Sequence, residues 1–342
     1  MEEQNLYQNV RKQICRMIYE DIYRDGEYIP PERRLSEELG VSRVTVRKAL
    51  KLLEEEHIIE RIQGSGTRVA LQYGARTGNM DIITLVAPAQ NSFFSRFIDA
   101  FQTNAEEQDS LVLFKQKPRR LSLENCLYRI YEKDLRNVVL WQEDMELSQE
   151  VLRKLRGLGM NIVLFDTASH STYADAVCLD NGDAVRRLVR ILWKQGCVKL
   201  GFAGWDEHQV SSVKAREREF SRLVPEGPVC RIPWSYHNRL EELPVELVEQ
   251  SLGKLRVCDG IIYAVGELGM LFERRAKDRG LVHQAAMIDA CPGAEELGIC
   301  TLEQDFQGMA EKIFDCLKRQ NQNGSAWTAG VYQVKGHANN NG

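Results

Sequence analysis

The stretch of this 342-residue chain best suited to chemistry is Ser42-Arg43-Val44-Thr45-Val46-Arg47-Lys48-Ala49-Leu50-Lys51-Leu52-Leu53. Arg43, Arg47 and Lys51 step by four along one helical face, Lys48 lies beside them, and no acidic residue interrupts positions 42 to 51. Guanidinium groups on such a ridge fork onto guanine edges or pair with phosphates. Ser42 predicts an N-cap, placing Arg43 and Thr45 in the first turn, where the helix dipole favours a phosphate. Thr45 either bonds back to its own helix or reaches the DNA, and Val44 either packs or meets a thymine methyl.

Several elements must position that ridge. Val46, Ala49, Leu50 and Leu53 fall at i, i+3, i+4 and i+7, one buried stripe. A short helix ends at Leu35-Ser36-Glu37-Glu38-Leu39, and Gly40-Val41 forms a tight corner, so the two helices read as a helix-turn-helix. The periodicity predicts a first helix over 5–24, with Leu6, Val10, Ile14, Met17, Ile18 and Ile22 on one side, Cys15, Tyr19 and Tyr23 widening that face, and Asp25-Gly26 ending it. Pro30-Pro31-Glu32-Arg33 opens the next helix, where Arg33 either pairs with Glu37 or meets a phosphate. Ile58–Ile62 and Thr67–Val69 pair across Gln63-Gly64-Ser65-Gly66 as a hairpin. Its tip, Gly64, Ser65 and Gly66, with Arg61 and Arg68 on the flanks, is expected to approach the minor groove or a phosphate. Three helices and this hairpin make a winged helix over residues 1–70. Glu54-Glu55-Glu56 is expected to face solvent or hold the helix end off the DNA.

Charge is local. The chain carries a net charge of -4, and residues 1–70 hold 12 Lys and Arg against 13 Asp and Glu. Binding therefore depends on one helix and its neighbours, not on a broadly basic surface. Nine cysteines with no Cys-x-x-Cys point to free thiols in a reducing compartment. The N-terminus is unlike a signal peptide and no run approaches about 18 apolar residues, so a cytoplasmic location without a membrane span is expected. Gly-x-Ser-x-Gly, a Walker loop, His-Glu-x-x-His and a strand-to-helix Gly-x-Gly-x-x-Gly are all missing, and the six histidines have no metal-ligand spacing. The chain is read as a non-enzyme that needs no cofactor or metal.

Residues 71–80 carry no apolar period and read as a linker whose extended reach, at most ~33–36 Å, is close to the ~34 Å between half-sites on one DNA face. From Asp81 to 342, buried strands alternate with amphipathic helices, predicting an α/β domain of parallel sheets in two lobes with a cleft between them. The expected strands are Ile82–Val86, Leu111–Phe114, Val138–Trp141, Asn161–Phe165, Ala176–Leu179, Lys199–Phe202, Val229–Ile232, Gly260–Tyr263 and Ala285–Asp289. Ligands of such sheets sit at the carboxyl ends of the strands. Asn91, Phe93, Trp141, Asp166, Arg216, Glu267 and Asp289 could bind an effector there, charged and amide groups bridging hydroxyls and the aromatics walling a ring. Phe93 and Trp141 fit core packing as well, and Asp166 and Asp289 fit helix capping.

Three ordered blocks, Pro30–Leu35, Val41–Leu50 and Glu60–Thr67, resemble the GntR family of bacterial transcription regulators over about residues 5–70. Pro31 stands where that family usually has serine, which removes an N-cap, and the turn at 25–29 is shorter than usual. The runs Ile83–Pro88 with Asn91–Phe94, Asn161–Asp166, Val177–Gly182, Gln195–Gly204 and a closing Tyr332–Gly336 resemble the effector domain of LacI/GalR regulators, akin to periplasmic binding proteins. The two together are the arrangement of the arabinose-repressor-like subfamily. The resemblance implies that Arg216, in Arg216-Glu-Arg-Glu-Phe220, reaches the ligand. Glu219 stands where that spacing has a small residue, and Gly266-Glu267 and Ile288-Asp289-Ala290-Cys291 also depart from the family's pattern. The expectation is a homodimeric repressor on double-stranded DNA carrying an inverted-repeat operator, controlled by a small polar metabolite such as a sugar. A DNA-binding regulator without an effector, and a carbohydrate-converting enzyme with a fused DNA-binding domain, are the alternatives.

Overall fold

The computed structural model describes residues 2–71, 80–88, 92–117, 122–142, 147–206, 210–233, 243–322 and 326–339. Most of the expected linker and Asn91 lie outside these residues. The N-terminal unit runs α1 (Glu2–Tyr19), β1 (Tyr28–Ile29), α2 (Glu32–Leu39), α3 (Arg43–Glu55), β2 (Ile59–Ile62) and β3 (Gly66–Val69). β3 is the middle strand of an antiparallel sheet ordered β1-β3-β2. Val46, Ala49, Leu50 and Leu53 of α3 are buried, as the periodicity requires. A Leu→Ala change in such a stripe typically removes about 2–5 kcal/mol.

One boundary differs from expectation. α1 stops at Tyr19, not near Asp25, because Asp21 adopts φ 59 and turns the chain out of the helix. Ile22, which continues the apolar period, is left exposed.

The remainder folds as two lobes around two six-stranded sheets. Lobe 1 contains β4 (Ile82–Ala87), α4 (Ser92–Glu107), β5 (Leu111–Gln116), α5 (Leu123–Glu132), β6 (Asn137–Trp141), α6 (Gln149–Gly157), β7 (Asn161–Phe165) and β8 (Asp175–Leu179). Lobe 2 contains α7 (Asn181–Lys194), β9 (Leu200–Trp205), α8 (Ser211–Leu223), β10 (Val229–Ile232), α9 (Val245–Leu255), β11 (Gly260–Tyr263), α10 (Gly266–Asp278), β12 (Gln284–Ile288) and β13 (Cys300–Glu303). The chain then returns to lobe 1 as α11 (Phe306–Gln322) and β14 (Val331–Val334), and ends in lobe 2 as β15 (His337–Asn339). The sheet orders are β14-β8-β7-β6-β4-β5 and β10-β9-β11-β12-β13-β15, parallel throughout except for β15. The backbone thus crosses between lobes three times, near Asp180, Gln304-Asp305 and Lys335-Gly336.

The central strands β6, β7 and β8 of lobe 1 are buried on both faces, as parallel sheets require, while the edge strand β5 is largely exposed. Ile83, Leu85 and Ala87 join the core beneath α4 and α11, while Val86, Leu140 and Ile162 join the core shared with α5 and α6. That second core does not stop at the lobe. It continues into α1 and α3 of the N-terminal unit as one apolar cluster. No helix among the described residues is long and apolar enough to cross a membrane.

Candidate nucleic-acid interface and effector cleft

The ridge on α3 is built by local rules. Ser42 has extended backbone, and its Oγ accepts the Thr45 amide hydrogen at 3.1 Å. The two hydroxyls are 2.8 Å apart, so Thr45 is engaged with the cap. Gly40 ends α2 at φ 66, a conformation that favours glycine, and its amide bonds back to the Ser36 carbonyl. Pro31 caps α2 without a side-chain bond, as its residue type dictates. Arg43, Val44, Arg47, Lys48 and Lys51 are all exposed, with Val44 at 60 %.

Two of these cations, Arg47 and Lys51, are held by acids that DNA would have to displace. Arg47 forks onto Glu32 through Nε and Nη2 at 3.1 and 3.0 Å, and Arg61 approaches the same carboxylate at 3.8 Å. Lys51 lies 3.6 Å from Glu55, and Arg33 bonds Glu37 at 3.1 Å, the pairing its spacing allowed. In the wing, Gly64 and Gly66 take φ 77 and 120. A β-carbon at Gly66 would meet only the Tyr28 ring at 3.5 Å, so conformation and not space calls for glycine. Ser65 is exposed at the tip, Arg68 pairs with Glu60 across the hairpin, and Arg61 also reaches Glu54 at 3.3 Å. Glu56 is half-buried at the end of α3. It receives two bonds from Arg11, at 2.6 and 2.8 Å.

In the cleft, Trp141 ends β6 almost fully buried and donates its indole N–H to Asp166 at 3.4 Å, while Lys117 sits 5.0 Å above its ring. Phe93 stacks near Phe165 (5.9 Å) and meets Phe306 edge-on (5.3 Å). Asp166 and Asp289, just after β7 and β12, hold φ 57 and 74. The same left-handed backbone recurs away from the cleft at Asp21, His57, Asp109 and Asp134. Arg216 is buried, its guanidinium donating to Asn181 Oδ1 at 2.7 Å and to the Ala264 carbonyl at 2.6 Å. It therefore ties α8 to the first crossing and to the end of β11. Although part of Asp289's surface is open, its carboxyl is enclosed, and that dehydration raises its pKa against the opposing pull of Arg216 and of Gln304, which donates at 3.0 Å. Glu267 lies in the first turn of α10, close enough to raise Asp289 further. Phe93, Trp141 and Asp166 thus gather on lobe 1, and Arg216, Glu267 and Asp289 on lobe 2.

Sequence reasoning missed the groups that join the two sets. Arg96 of α4 reaches across to Glu303 at 2.8 Å and to the Ala290 carbonyl at 3.4 Å, its guanidinium 5.3 Å from the Phe306 ring. Its signal was a lone arginine inside the apolar period of α4. Gln304 is buried at the second crossing, and among the described residues its Oε1 has no hydrogen-bond partner. The bond from Nε2 to Asp289 fixes which way that amide points. Beside this crossing a cavity of about 390 Å³ is lined by residues including Arg96, Glu303, Gln304, Phe306 and His337. The thiol of Cys291 is pushed up to about 11 by burial and by Glu267 and Asp289, so it stays protonated at neutral pH. Among the described residues no group of three His, Cys, Asp or Glu is placed to hold a metal ion.

Residues 6–69 match the family described as bacterial regulatory proteins, gntR family. The N-terminal unit is a GntR-type helix-turn-helix. Over 64 residues it is 47% identical to the mannosyl-D-glycerate transport/metabolism system repressor MngR of Escherichia coli K12, covering 19% of this chain and 27% of MngR. The chain thus spans about a quarter of the length of the curated relatives it matches. Beyond the GntR-type unit the likeness is one of fold. The transcriptional regulator CelR–cellobiose complex superposes with a TM-score of 0.63 at 14% identity, over 91% of this chain and 99% of that one. The Cra regulator of Pseudomonas putida with fructose 1-phosphate gives 0.63 at 14%, over 76% and 98%. The two lobes therefore have the fold of LacI-type, periplasmic-binding-protein-like domains.

Proposed function

We propose that this chain is a bacterial transcription regulator, a repressor that acts as a homodimer on an inverted-repeat operator in double-stranded DNA. Residues 42–53 enter the major groove, and Gly64, Ser65, Gly66 and Arg68 approach the flanking backbone or minor groove. The observation that carries this reading is the pairing, in one chain, of a capped and exposed cationic helix with a two-lobed cleft closed by Arg96. Relatives of the first unit are named as repressors, and solved neighbours of the second hold cellobiose or fructose 1-phosphate. A small polar metabolite of the sugar class binds between the lobes here, against Phe93, Trp141, Asp166, Arg216, Glu267 and Asp289. The unmet Gln304 Oε1 accepts from one of its hydroxyls. To shift operator occupancy it must favour one arrangement of the two DNA-binding units by several kcal/mol. A thermal-shift screen against a carbohydrate panel tests the effector, since a ligand at 100 times its Kd adds about 2.7 kcal/mol. A positive sugar that leaves operator binding unchanged would refute the control mechanism, and a panel with no positives would refute the sugar class.

A further inference from the structure

Both α1 and α5 carry one more buried stripe than their own domains use. In α1, Val10, Ile14 and Ile18 fill the core of the helix-turn-helix, yet Arg11, Cys15 and Tyr19, also four apart, are buried too. In α5, Leu123, Leu127 and Ile130 form one such stripe, and Tyr128 and Tyr131 form the other, with half-buried Glu124 at its end. A helix lying on a single sheet needs one such stripe. The two surplus stripes face each other.

Tyr19 stacks on Tyr128 with ring centroids 4.4 Å apart, and its hydroxyl donates to Glu124 at 2.8 Å. The Tyr131 hydroxyl lies 3.2 Å from Cys15 Sγ. Arg11, only 3 % exposed, forks onto Glu56 at the C-terminal end of α3 and reaches Asp134, just beyond α5, at 3.4 Å. Lys154 of α6 pairs with Asp21 at 2.5 Å. The recognition face of α3 takes no part and stays open. The two helices that receive the unit, α5 and α6, are the ones that follow β5 and β6, whose far ends carry Lys117 and Trp141 at the cleft.

We infer that the α5 ridge is a dock for this chain's own DNA-binding unit, so that lobe 1 and the helix-turn-helix move as one rigid body. The orientation of α3 is then set by lobe 1 and not by the length of the peptide joining the two. Lobe closure reaches the DNA through rotation of lobe 1, with Arg11 as the tie between the end of α3 and the lobe. The inference stands independently of the effector's identity.

The test is TROSY-detected 15N relaxation on the deuterated full chain, comparing amides of residues 6–69 with those of lobe 1. The dock predicts one shared tumbling time in the wild type. It also predicts that Tyr128→Asp, and separately Tyr19→Asp from the other side of the stack, release residues 6–69 to tumble several-fold faster while both sets of resonances stay dispersed. Fast tumbling of residues 6–69 in the wild type would overturn it, as would unchanged tumbling in whichever variant stays folded. A shared tumbling time that is lost when the wild type is diluted to monomer would place the dock on a second copy, and would overturn the intrachain form.

Discussion

Arg47 lies in a competition that mutation can expose. In the free protein its guanidinium forks onto Glu32 at 3.0 and 3.1 Å, with 65 % of the side chain open to water. Such an exposed pair holds the arginine by at most about fivefold. A forked contact to a guanine edge discriminates by about five- to a hundredfold. Base recognition therefore wins, but DNA gains only the difference. Arg47→Ala should weaken operator binding about three- to fiftyfold and relax base choice at one position. Glu32→Gln should do the reverse, tightening binding by up to about fivefold, because it frees Arg47 and relieves Arg61 of the same carboxylate. In the double variant the Glu32→Gln gain should shrink, since the side chain it released is gone. Fluorescence anisotropy with a selected operator at two salt concentrations measures all three. Wild-type affinity in Arg47→Ala, or weaker binding by Glu32→Gln at unchanged melting temperature, would refute this reasoning.

Other perturbations follow from the same geometry. Ser42→Ala removes the Oγ that accepts the Thr45 amide and should lower stability by about 1 kcal/mol, read as a shifted urea midpoint; an unmoved midpoint would contradict the cap's role. Lys51→Ala should lower affinity evenly across sequences and flatten the salt slope by about 1, whereas a changed base preference would assign Lys51 to readout instead. Asp289 has a folded-state pKa raised by burial, so the fold favours its protonated form. Its stabilising contribution is present below the unfolded-state pKa of about 3.9 and is lost as pH rises through the folded value. Asp289→Asn should therefore melt higher than wild type at pH 7, with the gap closing as the solution is acidified toward pH 4. A gap that widens on acidification would reverse the sign assigned here.

What could be read from the chain alone was what its local rules determine. The Ser42 cap, the 46/49/50/53 stripe, Gly40 and the two wing glycines each act within a few residues, and each sits where the spacing put it. The doubly buried strands of lobe 1 were legible because their apolar runs are continuous. Ends set by a single unusual backbone angle were not, as Asp21 shows. The strands β1, β13, β14 and β15 were missed, each fixed by the partner strand beside it and not by a period of its own. For the cleft, residue types pointed to Trp141, Asp166 and Asp289, but Arg96 and Gln304 act by reaching between lobes, a relation without any sequence spacing. The second stripe on α1 was visible as Cys15 and Tyr19, and only the tertiary fold shows that α5 covers it.

The proposal that α3 reads DNA sequence is tested most directly by exposing the purified protein to a random duplex library and sequencing what it retains. The ridge from Arg43 to Lys51 predicts enrichment of an inverted repeat, lost when Arg43 and Arg47 are both replaced by alanine. Retention without any enriched motif, or the same motif recovered by the doubly substituted protein, would contradict it.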